Sequence, residues 1–445
     1  MSFDTFPFWA FVLGVWLVWL LVRQNTARKI LLTIASYAFY ASWNLAYVAL
    51  LAAYTLLSFF AGNSVRGARR IALMLGSVVL CVAGLTYAKT RMMPMPIGVS
   101  FYALQAIAYI VDCYRDNAGK PVGILDFSLY MSFFPRLTAG PIVRADEFLP
   151  QLAKRAAASS AAIWEALVLI CFGMFKKLVI ADNLAAVVDP VFSDLHTNPS
   201  RILLATYAFT VQIYCDFSGY TDIALGVARL FGYKLPENFN WPYLSKNPAD
   251  FWRRWHISLS NWLREYIFFS LPGQRSKKKI FAYVNFMITM LICGIWHGSG
   301  WTFVLWGLYH GVLLAVYYGI RGDQRTPKNA PQNKFGSLCS ILLMQQLAAL
   351  GWILFRLDHL SDARTFVHSL TTGPFYAGFS TPEWMAVAFI GLTAVAHLVE
   401  TRIAITKTAL TNRWNPWVMW VLLVSAIAST VLSLPKQQMF LYFRF

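Results

Sequence analysis

The sequence predicts an all-α polytopic membrane protein. Of its 445 residues, 58% are hydrophobic and only 13% are charged. A soluble protein usually carries about 25% charged residues. The mean hydropathy is +0.52, and apolar runs of roughly 17 to 20 residues, long enough to cross a bilayer, recur along the chain. Because backbone polar groups must be hydrogen-bonded inside a bilayer, these runs are expected to be helices.

The apolar runs predict about eleven transmembrane helices, together with re-entrant or interfacial helices. Segments 29–42 and 97–113 are shorter or mixed, and 125–143 is interrupted by Pro135, Gly140 and Pro141. The clear runs are 6–22, 44–62, 71–88, 160–175, 202–220, 280–297, 301–320, 338–356, 384–399 and 416–434.

We expect one integral-membrane domain over residues 1–445. Its N-terminal helices occupy 1–94, its motif-bearing core occupies 95–320, and its C-terminal helices occupy 338–445. The first span has no basic segment before it and no clean cleavage site, so it is expected to stay as a helix rather than to be removed as a signal peptide.

The net charge of +18 fits membrane topology better than nucleic-acid binding. Basic residues gather in loops that stay cytoplasmic. Asp4 precedes the first span and no basic residue does, so the N-terminus is expected outside the cytoplasm. Residues 321–337 are expected on the cytoplasmic side. The basic residues that set this orientation are Arg23, Arg28, Lys29, Arg66, Arg69, Arg70, Arg321, Arg325, Lys328 and Lys334.

Motifs of soluble enzymes are missing from the sequence, which has no G-x-S-x-G, P-loop, G-x-G-x-x-G or H-E-x-x-H pattern. The six cysteines are scattered without a C-x-x-C pair, so we expect no zinc or other metal site. Chemistry is therefore expected from the histidines. Four of the seven lie in or beside loops or late spans and are interpreted as incidental: His196, His359, His368 and His397.

His310 is the ninth of nineteen residues in the segment 302–320, which places it near the bilayer midplane if the helix crosses straight. An ionisable group at that depth indicates function, unless it is a core histidine hydrogen-bonded to a neighbouring helix. Trp306 lies one turn before it, and Gly307 and Gly311 remove side chains from the adjacent positions. We expect these glycines to let another helix, or a substrate chain, approach the imidazole, and to clear a passage.

His297 is not expected to share a metal ion with His310. Thirteen residues separate the two, which corresponds to about 20 Å and about 220° on a continuous helix. Gly298 and Gly300 are expected to break the helix between them. His297 would then lie near the extracytoplasmic surface, as a structural cap or at the mouth of a channel.

A third histidine lies in FWRRWHISLSNWLREYIFF, residues 251–269. Aromatic and apolar residues recur there at steps of three and four, which predicts one helix along the membrane surface. A polar stripe beside that face comprises Arg253, His256, Ser260 and Arg264. Eight basic and two acidic residues lie between Lys246 and Lys279. This excess fits either lipid headgroups or a cationic entrance for a phosphate-bearing substrate on the cytoplasmic side.

Five ordered motifs resemble those of membrane-bound O-acyltransferases, in the bacterial branch of the alginate O-acetylation and D-alanyl transfer membrane proteins. The alginate type is the more similar of the two. The motifs are MPIGVSFYALQAIAYIVDCYR (95–115), FFPRLTAGPIVR (133–144), DFSGYTDIALGVARLFGYKLPENFNWPY (216–243), FWRRWHISLSNWLREYIF (251–268) and GIWHGSGWTFVLWGLYHG (294–311).

The resemblance implies a fold with a central tunnel and transfer of an acyl group from a cytoplasmic thioester to a hydroxyl. His310 matches the family's near-invariant histidine, and His256 falls at its second active-site position. In that reading Arg253, Arg254 and Arg264 bind the donor. The remaining residues expected to line or support the tunnel are Trp306, Gly307, Gly311, His297, Asp216 and Ser218.

The expected activity is acetyl transfer to an exported polysaccharide or peptidoglycan, directly or through a periplasmic partner, in the bacterial inner membrane. Acetyl-CoA or another acyl thioester would be the donor substrate, with no bound cofactor. Transfer of D-alanine from a carrier protein is an alternative within the family. A proton-coupled transporter with midplane histidines is an alternative of another class, although the sequence shows no internal repeat of the kind many transporters have.

Overall fold

The computed structural model describes residues 1–3, 5–65, 70–92, 95–115, 122–154, 159–273, 276, 278–321, 334–372, 374–375, 378–403 and 441. Every regular element over these residues is helical, which confirms the predicted all-α class. The chain divides into two compact units. The prediction of one integral-membrane domain stays a prediction.

The first unit comprises Met1–Met174 and Gly219–Glu237. Its helices are α1 (Phe6–Leu21), α2 (Asn25–Ala41), α3 (Leu45–Ser64), α4 (Arg70–Arg91), α5 (Val99–Tyr114), α6 (Ile124–Ser132), α7 (Phe134–Leu137), α8 (Ala145–Ala153) and α9 (Ser160–Met174). Cys81 and Ala88 are the buried residues of α4, whose other apolar side chains are largely exposed. A large exposed apolar surface is typical of a helix that faces lipid.

The second unit contains Phe175–Ser218 and, among the described residues, 238–403 and 441. It begins with a π-helical turn, Phe175–Ala181, which is followed by α10 (Asp182–Ser193) and α11 (Pro199–Leu230). The residues of α11 from Gly219 onward belong to the first unit. The later helices are α12 (Pro248–Arg254), α13 (Ile257–Trp262), α14 (Lys279–His297), α15 (Trp301–Arg321), α16 (Lys334–Arg356), α17 (Asp362–Thr371) and α18 (Thr381–Ile403).

Five helices of the described residues are long and apolar enough to cross a membrane: α3, α4, α14, α15 and α16. They confirm the predicted runs 44–62, 71–88, 280–297, 301–320 and 338–356 as helices. The helices α1 and α5 are apolar but shorter. The run 416–434 lies outside the described residues, and the total of about eleven spans stays a prediction.

The helices α14 and α15 form a close antiparallel hairpin. α14 ends at His297, Gly298 is extended, and α15 begins at Trp301, so the expected helix break is confirmed. Glycines on both helices permit the contact, because a Cβ atom at Gly294 would collide with the carbonyl oxygen of Phe303 and one at Gly307 with that of Met290. Small residues at such spacing let two membrane helices approach backbone to backbone.

Candidate active site

The segment 251–269 is not the single helix that its periodicity predicted. α12 ends at Arg254, Trp255 is extended, and His256 has φ 42° and ψ 56°, in the left-handed region. α13 then starts at Ile257 and passes into a π-helical turn, Leu263–Ile267, and a 3₁₀ turn, Phe268–Ser270. A non-glycine residue in the left-handed conformation is strained, and such strain clusters at functional sites.

The break changes which side chains share a face. Trp252, Trp255, Leu259, Trp262 and Tyr266 are all buried within the protein. Arg253, Ser260 and Arg264 line one cavity, as the stripe predicted, but His256 does not line it. The backbone of His256 lies between α12 and α13, outside the regular turns of either helix.

The buried side chain of Asn238 holds His256. The Asn238 Oδ1 atom lies 3.1 Å from His256 Nδ1, and it accepts hydrogen bonds from the Ser258 backbone N–H at 3.1 Å and from Ser258 Oγ at 2.9 Å. The imidazole ring also packs edge-on against Phe217, with the ring centroids 4.7 Å apart. Burial lowers the pKa of His256 to about 3, so its imidazole is neutral at physiological pH.

His310 lies inside a cage of aromatic rings. Its side chain is buried, and its ring centroid lies 4.9 Å from that of Trp306 and 5.1 Å from that of Trp252. Phe251 lies parallel to the imidazole at 6.1 Å. Within the described residues neither ring nitrogen of His310 has a hydrogen-bond partner. This arrangement differs from a core histidine held by a hydrogen bond to a neighbouring helix, which was the alternative to a functional role.

Gly351 of α16 borders the Nε2 edge of this imidazole. A Cβ atom at position 351 would lie 2.9 Å from His310 Nε2 and 3.3 Å from Tyr309 Cε1. Real side chains do not approach so closely, so glycine at this position leaves the space that the ring occupies.

The glycines on either side of His310 do not face an open passage. A Cβ atom at Gly307 would collide with the Met290 backbone, and one at Gly311 would lie 3.0 Å from the Met287 Cα atom. Both glycines therefore admit α14, so the expectation that they clear a passage was wrong. Of the two partners expected for them, a neighbouring helix is the one observed.

His297 is buried at the C-terminal end of α14. Its ring centroid lies 5.1 Å from that of Trp306 and 5.3 Å from that of Phe355. Because Trp306 also contacts His310, one indole ring bridges the two histidines of the hairpin. The helix break brings them close, whereas a continuous helix would have kept them far apart. Among the residues that the structure describes, no three His, Cys, Asp or Glu side chains are grouped as metal ligands.

A cavity of about 470 Å³ lies beside this hairpin. Three of its lining residues are cations: Arg253, Arg264 and Lys279. Its other polar and aromatic lining residues are Ser260, Asn261, Thr289, Trp252, Phe268, Tyr283, Phe286 and Tyr318. Trp252 therefore both lines the cavity and contacts the His310 ring.

Arg254 has different surroundings from Arg253. Its Nε atom lies 3.1 Å from an Asp250 carboxylate oxygen, and its guanidinium donates to the Asn240 carbonyl at 3.3 Å. Arg254 does not line the cavity. The Arg253 side chain is 60% exposed and lies 3.7 Å from Asp250.

Asp216 and Ser218 belong to a buried ionic network of the second unit. Lys177 Nζ lies 2.7 Å from Asp216 and 2.8 Å from Asp182, and Lys176 donates to Ser218 Oγ at 3.0 Å. The Leu441 backbone N–H donates to the second Asp216 oxygen at 3.0 Å. Buried charges need such pairing, so these contacts of Asp216 and Ser218 support the fold.

Residues 68–332 match the model of the membrane-bound O-acyltransferase (MBOAT) family. The chain belongs to the MBOAT family. It is 36% identical to a probable alginate O-acetylase AlgI of Azotobacter vinelandii, over 76% of this chain and 71% of that protein.

Two further relatives of this MBOAT protein are named for reactions on polymers of the cell envelope. It is 33% identical to a peptidoglycan O-acetyltransferase of Helicobacter pylori, over 79% of this chain and 75% of the relative. It is 30% identical to a teichoic acid D-alanyltransferase of Bacillus subtilis, over 58% of this chain and 68% of that relative. The protein is thus a multi-pass membrane O-acyltransferase, and the transporter alternative falls away.

Two residues of this MBOAT site were not expected from the sequence. Asn238 lies in the quoted motif 216–243 but carried no predicted role. Gly351 of α16 lies outside the five motifs. An unexplained glycine in an apolar helix was the available signal for Gly351, because glycine is a poor helix former.

Proposed function

We propose that this MBOAT protein transfers an acetyl group from a cytoplasmic thioester to a hydroxyl of an exported polysaccharide or peptidoglycan. Transfer occurs directly or through a periplasmic partner protein, at the bacterial inner membrane. Relatives named for alginate and peptidoglycan O-acetylation are 36% and 33% identical to this chain. The D-alanyltransferase relative is 30% identical over a smaller share of it.

The proposal is supported above all by Trp252, which both lines the cationic cavity and contacts the His310 ring. The cavity volume of about 470 Å³ suits part of a small-molecule ligand. Arg253, Arg264 and Lys279 supply three positive charges for the phosphates of the donor. The thioester then reaches past Trp252 toward the imidazole.

The predicted topology supports a cytoplasmic opening for this cavity. Lys279 is the first residue of α14, and Tyr318 lies near the end of α15 before Arg321. The start of α14 and the end of α15 therefore lie at the same end of the hairpin, which carries the basic residues. Loops rich in basic residues stay on the cytoplasmic side of a membrane. The opposite end, with His297 and the glycine turn, is then extracytoplasmic, and the acceptor approaches from there.

His310 is the proposed general base. As the acceptor hydroxyl oxygen attacks the thioester carbonyl carbon, the imidazole takes the hydroxyl proton. The tetrahedral intermediate collapses, the C–S bond breaks, and the proton passes to the departing thiolate. The products are an ester and a free thiol. Burial of His310 among aromatic rings restricts the access of water, which limits hydrolysis of the donor.

D-alanyl transfer from a carrier protein remains the second candidate, because a named D-alanyltransferase is among the relatives. A carrier protein would present its phosphopantetheine arm to the same cations. The two candidates differ in the acyl group and in the size of the donor, so a donor series distinguishes them.

The test uses the full-length protein, purified and reconstituted in lipid nanodiscs. It is given acetyl-CoA, longer acyl-CoA thioesters or a D-alanyl carrier-protein thioester, with polyuronate or peptidoglycan fragments as acceptors. Thiol release and acyl ester formation are both measured. Turnover of acetyl-CoA above that of a His310→Ala protein is expected. Turnover of the D-alanyl donor alone would overturn acetyl transfer and support the second candidate.

A further inference from the structure

Asn238 caps the short helix α13 from outside that helix. Its backbone carbonyl accepts from the Ile257 N–H at 2.9 Å, while its side-chain oxygen accepts from the Ser258 N–H at 3.1 Å. These N–H groups lie in the first turn, where a helix leaves donors unsatisfied. Asn238 and His256 are both buried, so the contact is shielded from water.

The same oxygen determines the tautomer of His256. A backbone N–H can only donate, so the side-chain atom of Asn238 facing Ser258 must be the oxygen rather than the nitrogen. That oxygen lies 3.1 Å from His256 Nδ1 and accepts only. The contact is therefore a hydrogen bond only if Nδ1 carries the proton. In a neutral imidazole, Nε2 then bears a lone pair and no hydrogen.

The tautomer decides between two roles for His256. A residue that polarises the thioester carbonyl must donate a hydrogen bond to the carbonyl oxygen. A neutral imidazole protonated on Nδ1 cannot do so through Nε2, but it can accept a hydrogen bond there. The lowered pKa of His256, about 3, keeps the second proton off the ring.

We propose that Asn238 is a positioning residue that fixes the Nδ1-protonated tautomer of His256. His256 Nε2 then acts as a hydrogen-bond acceptor, and not as a donor to the thioester carbonyl. The catalytic part of this inference rests on the proposed acyl transfer, whereas the tautomer does not.

The first test reads the tautomer directly. Full-length protein with ¹⁵N-labelled histidine is placed in nanodiscs, and solid-state NMR separates protonated from unprotonated ring nitrogens. The His256 signals are those lost in His256→Asn protein. A protonated Nδ1 with an unprotonated Nε2 is expected. Protonated Nε2, or an imidazolium near neutral pH, overturns the proposal.

The second test uses three variants. Asn238→Leu removes the acceptor oxygen, so we expect a mixed tautomer and a kcat lower by about 10- to 100-fold, the usual effect of removing a residue that orients a functional side chain. The donor KM is expected to stay within about 3-fold, because the donor cavity is unchanged. Asn238→Asp keeps an acceptor oxygen and is expected to keep the tautomer and most of the kcat. Ser258→Ala is the matched control, since it removes a donor to the same oxygen and leaves His256 bonded.

These outcomes separate the tautomer from the acyl transfer. Wild-type kcat in folded Asn238→Leu protein overturns the positioning role. If Asn238→Leu does not fold, the wild-type tautomer and the Asn238→Asp kcat decide the same question. If the wild-type protein shows no acyl-transfer activity, the proposed function is contradicted, but the tautomer measured by NMR still tests the role of Asn238.

Discussion

Replacing Gly351 by alanine tests the geometry around His310 with one added methyl group. The new Cβ atom would lie 2.9 Å from His310 Nε2, whereas ordinary contacts are 3.4–4 Å. The imidazole must therefore move by about half an ångström or more, or α16 must shift. A displacement of about 1 Å in a catalytic group can lower the rate by about 10²-fold. We expect the kcat of Gly351→Ala to fall by about 10- to 100-fold.

Folding should change far less than turnover in this variant. Alanine favours a helix interior over glycine by about 1 kcal/mol, while the added contact costs about 1–3 kcal/mol through overpacking. The two effects partly cancel, so a melting temperature within a few degrees of wild type is expected. Gly391→Ala on α18 is the matched control, because a Cβ atom there has no neighbour within 4 Å.

The assay compares initial rates of thiol release by both variants and wild type in nanodiscs, at saturating donor, with melting curves of the same samples. Low kcat with near-normal stability in Gly351→Ala, and wild-type behaviour in Gly391→Ala, is the expected pattern. A stable Gly351→Ala protein with at least half the wild-type kcat would refute the placement of the reacting nitrogen beside α16.

Three further predictions concern donor binding, the second histidine and topology. Arg253→Glu should raise the apparent donor KM by about 5- to 30-fold at low salt and by less at high salt, since exposed charges interact by about 1 kcal/mol each and salt screens them. Arg254→Glu should change the donor KM by less than about 3-fold. Equal effects of the two substitutions on the donor KM would indicate lipid anchoring or general charge. His256→Ala should nearly abolish turnover, whereas His256→Asn should keep part of it because an amide oxygen can still accept a hydrogen bond. An equal loss of turnover in both variants would indicate proton transfer by His256. A cysteine replacing Ser299 should react with an impermeant thiol reagent from outside the cytoplasm, and labelling only from the cytoplasm would reverse the topology.

The helices were predictable wherever local sequence decides the structure. Apolar runs of membrane length became α3, α4, α14, α15 and α16, because a bilayer requires the backbone to hydrogen-bond within each segment. The break between α14 and α15 also followed from local sequence, through Gly298 and Gly300.

The interruption at His256 was not predictable from periodicity. Residues 251–269 keep helical spacing throughout, yet His256 adopts positive φ, because Asn238, eighteen positions earlier, bonds to the first turn of α13. Likewise, Gly351 has a role only because α16 packs beside His310. Both effects come from tertiary contacts that leave no periodic signal in the sequence.

In the proposed mechanism His310 carries the proton during acyl transfer, and His310→Ala removes that base. The exposed His359→Ala serves as the control for loss of a histidine as such. Single-turnover acyl transfer from acetyl-CoA is measured on nanodisc samples with matched melting curves. A rate lower by about 10²- to 10⁴-fold in His310→Ala, with His359→Ala unchanged, is the predicted result. Near-wild-type transfer by folded His310→Ala protein would contradict the general-base role of His310.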